Sequence, residues 1–182
     1  MKGGTDSMKE ASTVRRQSGR ISRWITAIVS AALLVALDQI TKALAAAKLS
    51  NGYINLIPGV FRLEYLENRG AAFGVFQNAT GFFIAITVLF LVAAVWFFSV
   101  LPDDRKYRPL RIVCVVLAAG AVGNLIDRIF LHYVRDFLYF VLIDFPIFNV
   151  ADIYVTLSAA ALIIMILFVY SDEDFAFLKK KK

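Results

Sequence analysis

The chain is 182 residues long, 59% hydrophobic and only 19% charged, and its 20 basic and 14 acidic side chains leave a net charge of +6. Soluble globular chains run at about 45–50% apolar, so this one has too little polar surface to cover itself, which excludes disorder, a nucleic-acid module and an ordinary cytosolic enzyme. The single cysteine, Cys114, and the single histidine, His132, exclude a disulfide framework and a Cys- or His-rich metal site.

Residues 1–22 are hydrophilic and read as a disordered cytoplasmic tail. Four apolar stretches follow, at about 24–47, 81–101, 110–130 and 150–170. Each is long enough to cross a hydrocarbon core of about 30 Å as a helix. A spanning segment must be helical here, because an unpaired backbone group in lipid costs several kcal/mol. The first stretch is no cleaved leader despite Ala45-Ala46-Ala47 near its end, since its apolar core is too long and carries Asp38 and Lys42. The membrane domain is therefore expected over 23–171, with a charged cytoplasmic tail over 172–182.

Between the first two spans, residues 60–66 partly alternate, with Phe61, Leu63 and Tyr65 on one face and Arg62 and Glu64 on the other, which predicts a strand. Asn68-Arg69-Gly70-Ala71-Ala72-Phe73-Gly74 then reads as a tight turn or as a place where another chain approaches the backbone closely. Residues 137–148 are aromatic and β-branched and predict an extended hairpin or interfacial loop. Arg15, Arg16, Arg20 and Arg23 precede the first span, Arg105, Lys106, Arg108 and Arg111 lie between the second and third, and Lys179 to Lys182 end the chain. The positive-inside rule places both termini and this middle connection in the cytoplasm. Topology thus accounts for the net charge without a nucleic-acid partner.

The polar residues that break the membrane pattern carry the functional signal, since a charge at mid-bilayer costs about 2.5–3.5 kcal/mol on insertion scales. Asp38 and Lys42 share one helix face, either as an ion pair with Lys42 snorkelling to the interface or as a polar rim beside a site. Asn124, Asp127 and Arg128 form a polar edge at the end of the third span, after a run of small residues suited to close helix packing. For Asp127 a structural clamp between helices is the simpler reading. Asp136 and Asp152 flank the last outer connection, which must return the chain to the membrane, so that the two can face one another. Asp152 is alternatively a first-turn acid behind an Asn149 cap.

Two carboxylates about 4 Å apart repel by about 4 kcal/mol at an effective dielectric of about 20. One then keeps its proton while the other is ionised, as in aspartic proteases. Such a pair activates water and polarises a carbonyl with no metal or other cofactor. A proton-coupled transporter subunit and a non-catalytic assembly protein, with the polar groups as interhelical glue, are the competing readings.

Five motifs in order, Asp38-Gln39-Ile40-Thr41-Lys42, Asn68-Arg69-Gly70-Ala71-Ala72-Phe73, Gly123-Asn124-Leu125-Ile126-Asp127-Arg128, Val134-Arg135-Asp136-Phe137 and Phe148-Asn149-Val150-Ala151-Asp152, resemble the lipoprotein signal peptidase (signal peptidase II) family over about 33–170. The resemblance implies an all-α integral membrane protein of four transmembrane helices with a small extracytoplasmic β-platform. It implies a bacterial inner-membrane aspartic endopeptidase that removes the signal peptide of a prolipoprotein just before a diacylglyceryl-modified cysteine, near the outer face. On it, Asp136 and Asp152 are the catalytic pair. Asn124, Arg128 and Asn149 line the site, and Asp38, Lys42, Asn68 and Gly70 support substrate or loop geometry. Asp127 is structural. The partners are the lipidated prolipoprotein and membrane lipid, and the chain is expected to act as a monomer. Two departures are Tyr154, bulkier than the resemblance leads one to expect, and Ser158-Ala159 where the fourth helix lacks glycine.

Overall fold

The computed structural model describes residues 3–70 and 79–179, with side chains for 19–70 and 79–178. Four helices, α1 (Gly3–Leu49), α2 (Thr80–Val100), α3 (Arg108–Phe130) and α4 (Val150–Phe168), are long and apolar enough to cross a bilayer. They alternate in direction, so Arg23 of α1, the α2–α3 connection and the chain just past α4 meet at one end of the bundle. A small antiparallel sheet of three strands, β1 (Tyr53–Ile57), β2 (Phe61–Asn68) and β3 (Val134–Phe140), lies at the other end.

α1 runs without a proline from Gly3 to Leu49. The end of the chain is more structured than a charged tail. A 3-10 turn at Asp172–Phe175 leads into α5 (Ala176–Lys179). Tyr107 Oη donates to the Asp174 carbonyl at 2.7 Å, Lys106 pairs with the Asp174 carboxylate, and Phe177 stands edge-on to Tyr107. Phe175 and Phe177 thus cover the apolar cluster of Phe98, Leu101, Leu110, Cys114, Met165 and Tyr170 at that end. Residues 180–182 lie outside the described ones.

The strand expected at 60–66 is the central strand β2, two residues longer at its C-terminal end. Its neighbour β1 shows no alternation in the sequence, although Ile57-Pro58-Gly59-Val60 announces the hairpin. Val60 N donates to the Ile57 carbonyl at 3.0 Å, and Gly59 sits at φ 73. A turn with proline second and a left-handed third residue is the type II turn, for which glycine is the low-cost choice. β3 pairs with β2 so that Leu63 faces Leu138 and Asn68 faces Val134, with an irregularity between Leu63 and Leu66. Beyond β3 the chain turns at Val141–Ile143, passes Asp144 at φ 47, and returns as an isolated bridge from Phe148 to Leu138. This is the hairpin-like return predicted for 137–148. Phe140 stacks on Phe148 with ring centroids 5.8 Å apart, which fixes that return against the sheet.

α3 is the helix about which the others pack, and its small residues allow the closest approach. A Cβ built on Gly120 would lie 2.6 Å from the Ala151 carbonyl oxygen and 2.9 Å from Val155 Cγ2. The glycine that α4 lacks is therefore supplied by its partner helix. Gly120→Ala is expected to force α4 outward and to destabilise the protein by about 1–3 kcal/mol, partly offset by about 1 kcal/mol of helix propensity. Thermal unfolding in detergent, read at Trp24 and Trp96, checks this, and an unchanged midpoint would contradict the tight α3–α4 contact.

Candidate active site

Asp136 enters from β3 and is 1% exposed. Strand pairing fixes its place, since its neighbours Arg135 and Val134 are registered against Glu67 and Asn68 of β2. Its Oδ2 accepts from Asn68 Nδ2 at 2.8 Å and its Oδ1 from Asn149 Nδ2 at 2.7 Å. Asn68 is held in turn by Gly70, whose N–H donates to Asn68 Oδ1 at 3.0 Å, as a turn-forming asparagine does. The rest of that motif, 71–74, lies outside the described residues.

Asp152 enters from the first turn of α4. Asn149 caps the helix by accepting from Asp152 N at 3.0 Å, and Asp152 Oδ2 accepts from Asn149 N at 3.0 Å, a reciprocal capping box. Both readings of Asp152, helix acid and member of a pair, therefore describe the same atoms. Its other oxygen, Oδ1, accepts from Asn124 Nδ2 at 2.8 Å. Asn124 Oδ1 accepts from Asn149 Nδ2 at 3.1 Å, so an unbroken amide bridge runs Asp136–Asn149–Asn124–Asp152.

The orientation of that bridge is set from behind. Lys42 Nζ donates to Asn124 Oδ1 at 2.8 Å and lies 2.9 Å from Asp38 Oδ2 and 3.5 Å from Asp127 Oδ2. An amide whose oxygen faces an ammonium must turn its nitrogen away, here onto Asp152. Lys42 is fully buried and its three donor positions are taken, so it neither snorkels to the interface nor stands at a rim. Asp38, also fully buried, accepts from the Ala151 N–H at 2.9 Å, one of the free amides at the start of α4. Its carboxylate is the neighbour that makes Gly123 necessary, since a Cβ there would be 2.5 Å from Asp38 Oδ2.

Asp127 meets Asn124 at the Lys42 ammonium, but most of its hydrogen bonds come from Arg135 and Gln39. Arg135 reaches it with its backbone N–H at 3.0 Å, Nε at 3.2 Å and Nη2 at 2.7 Å. Gln39 completes the group, donating to Asp127 Oδ1 at 3.1 Å and to the Gly123 carbonyl at 3.0 Å, and accepting from Arg135 Nη2 at 2.8 Å. Arg135 and Gln39 belong to the motifs but were not singled out for a role. Their signal is the presence of one further cation and one amide in the motifs beside an acid that Lys42 alone leaves short of donors.

A cavity of about 550 Å³ opens on the carboxylates. Asp136, Asp152, Asn124, Asn68, Gly70 and Arg128 form its polar end, and Ile153, Thr156 and Leu157 carry its wall along α4. Leu157 is 64% exposed, so that wall merges with the outer surface of the bundle. Arg128 has no ion pair among the described residues, and its guanidinium lies 5.1 Å from the Phe83 ring centroid. Tyr154 does not line the cavity and so does not narrow it. Burial, and then the neighbouring Asp152 charge, push the Asp136 carboxyl up to about 7, against the opposing pull of the Asn68 and Asn149 amides and of Lys42. Folding consequently binds a proton on Asp136 between its ordinary 3.8 and about 7. The stability this contributes is present at low pH and lost as pH rises through about 7.

Residues 30–168 match the family described as Signal peptidase (SPase) II. The chain belongs to that family. Among its relatives, the lipoprotein signal peptidase of Streptococcus pyogenes serotype M6 is 38% identical over 149 residues, 81% of this chain and 95% of that protein. The serotype M5 protein is 37% identical over the same shares. A solved bacterial membrane enzyme superposes with a TM-score of 0.70 at 34% identity, covering 86% of this chain and 93% of that one. A second superposes at 0.69, also with 34% identity, over 80% and 94%. Membership of the signal peptidase II family makes this a peptidase and a multi-pass bacterial membrane protein, with the helical bundle and small sheet expected from the motifs.

Proposed function

We propose that the protein is an aspartic endopeptidase of the bacterial inner membrane that cleaves the signal peptide from diacylglyceryl-modified prolipoproteins, just before the lipidated cysteine. The observation that carries this reading is the pair of carboxylates, Asp136 from β3 and Asp152 from α4, joined through Asn149 and Asn124 at the polar end of one cavity. In the proposed reaction the pair shares one proton. The ionised member takes a proton from water as its oxygen adds to the scissile carbonyl carbon, and the protonated member donates to the carbonyl oxygen. Collapse of the tetrahedral species returns the hydroxyl proton to the pair and delivers a proton to the departing nitrogen, leaving an acid and the amine of the cysteine. The apparent pKa values belong to the pair, so no single acid or base is assigned.

Arg128, a cation facing the cavity with no ion pair among the described residues, is suited to hold substrate carbonyl or ester oxygens. The apolar wall along α4 lets the diacylglyceryl chains remain in lipid while the peptide bond sits at the carboxylates. Arg20, Arg23, Arg105, Lys106, Arg108 and Arg111 lie at the end bearing the termini, so we place that end in the cytoplasm and the sheet and cavity at the outer face. The monomer contains every residue this reading needs.

The test is incubation of the purified protein with a prolipoprotein peptide that does or does not carry the diacylglyceryl group, with products read by mass. Cleavage only of the lipidated form, at the bond before its cysteine, is expected; no cleavage, or cleavage elsewhere, would overturn the proposal. The pH profile is a second readout. Because burial and the Asp152 charge push the Asp136 carboxyl up to about 7, the proton the pair shares is lost above that value and activity should fall as pH rises past it. A rate still climbing at pH 9 would contradict a shared proton.

A further inference from the structure

A second recess lies at the opposite end of the bundle, between α1, α2 and α3. It is a crevice of about 120 Å³, lined by Trp24, Ala27 and Ala31 of α1, Phe98 of α2, and Cys114 and Ala118 of α3. On α1, Arg20, Trp24, Ala27 and Ala31 recur at helical spacing and so share one stripe. That stripe follows the helix axis for about 10 Å between Trp24 and Ala31. The alanines make the recess, and its volume fits a narrow chain rather than another helix.

Its mouth is basic. Arg20 stands one turn above Trp24. Arg23 lies with its guanidinium 5.4 Å from the Phe98 ring centroid. It donates Nη1 to the Leu101 carbonyl at 3.1 Å, while its buried Nε has no partner among the described residues. Arg111 joins from α3, donating to the Pro102 and Asp104 carbonyls, and both Arg20 and Arg111 are close enough to repel Arg23. The facing acid is Asp103, 3.9 Å from Arg23 and with its own side chain 59% exposed. Lys106 is already paired with Asp174. Three guanidiniums about the exposed Asp103 and Asp104, set over an apolar slot inside a membrane span, match a phosphodiester with a hydrocarbon chain below it.

We infer that this crevice is a binding site for one anionic phospholipid, with its phosphate on Arg20, Arg23 and Arg111 and one acyl chain between α1, α2 and α3. The site shares no residue with the carboxylate cavity, so its test is independent of cleavage.

The full chain in detergent is titrated with phosphatidylglycerol or phosphatidylcholine, and the retained lipid is counted by native mass spectrometry. One phosphatidylglycerol per chain is expected, with at least a tenfold preference over phosphatidylcholine. Arg20→Gln should reduce that preference several-fold. Ala27→Leu with Ala31→Leu, which fills the slot, should abolish retention of both lipids while leaving cleavage unchanged. Equal retention of the two lipids, or a filled variant that still retains phosphatidylglycerol, would overturn the inference, the latter by showing attraction to surface charge alone. Should the filled variant fail to fold, phosphatidylglycerol with a photoreactive acyl chain decides the matter on the wild type. Crosslinks on peptides containing Trp24, Cys114 or Ala118 support the site, and crosslinks confined to other faces refute it.

Discussion

Asp136→Asn and Asp152→Asn should each reduce cleavage of the lipidated prolipoprotein peptide by roughly 10³-fold, within the range for loss of a general acid or base. The double variant should be hardly worse than either single one, because the two carboxyls act as a unit. Each substitution keeps the side chain's shape, so unfolding midpoints should stay within a few degrees of wild type and substrate should still bind. Asn at 136 retains one acceptor, but its amide nitrogen must face either Asn68 or Asn149, which sets the small cost. Asn at 152 keeps an oxygen for the Asn149 N–H or for Asn124, not for both. Cleavage rates, binding by a labelled peptide and thermal unfolding are measured on the same preparations. Either single variant retaining a tenth of wild-type activity would remove the carboxylate pair from the mechanism.

Lys42→Met should have the largest effect on stability. Asp38, Lys42, Asp127 and Arg135 form a cluster of two acids and two bases whose acids and lysine are fully buried. Removing the ammonium leaves a buried negative charge without a counter-charge, at a cost of about 3–5 kcal/mol. For a chain of this size that lowers the unfolding midpoint by roughly 10 °C. Lys42→Met with Asp38→Asn restores the charge balance and should recover part of the loss. A purely structural lysine would leave the rate of the folded fraction untouched. Here Asn124 loses the cation that orients its amide toward Asp152, so we expect kcat to fall more than KM rises, even in the charge-balanced double variant. Wild-type kcat in that double variant would show that Lys42 does not position Asn124.

Much of this arrangement is legible in the sequence, for physical reasons that differ by element. The spans are visible because lipid permits only helices and tolerates few charges, so four runs and their exceptions stand out. The exceptions mark the site, but not which way each side chain turns. Asn124, Asp127 and Arg128 share an edge by spacing alone, but spacing does not show that Arg135 arrives from β3 with three donors for Asp127. Lys42 could not be placed from the sequence, since snorkelling and burial differ only in what lies opposite, and what lies opposite is Asn124 from another helix. β1 was missed because it is too short and too apolar to alternate, leaving only the Pro58-Gly59 turn as a signal. The segment after Tyr170 reads as a charged tail because its acids outnumber its aromatics, although Phe175 and Phe177 anchor it.

The capping box at Asn149 and Asp152 constrains more than the start of a helix. The carboxylate proposed to react is the same group that closes the first turn of α4, with one oxygen committed to a backbone amide. Swinging it toward a substrate would give up that cap, at about 0.5–2 kcal/mol, so the group favours a peptide bond that comes to it. On the proposed mechanism, fraying of the first turn of α4 would therefore loosen the reacting acid along with the helix.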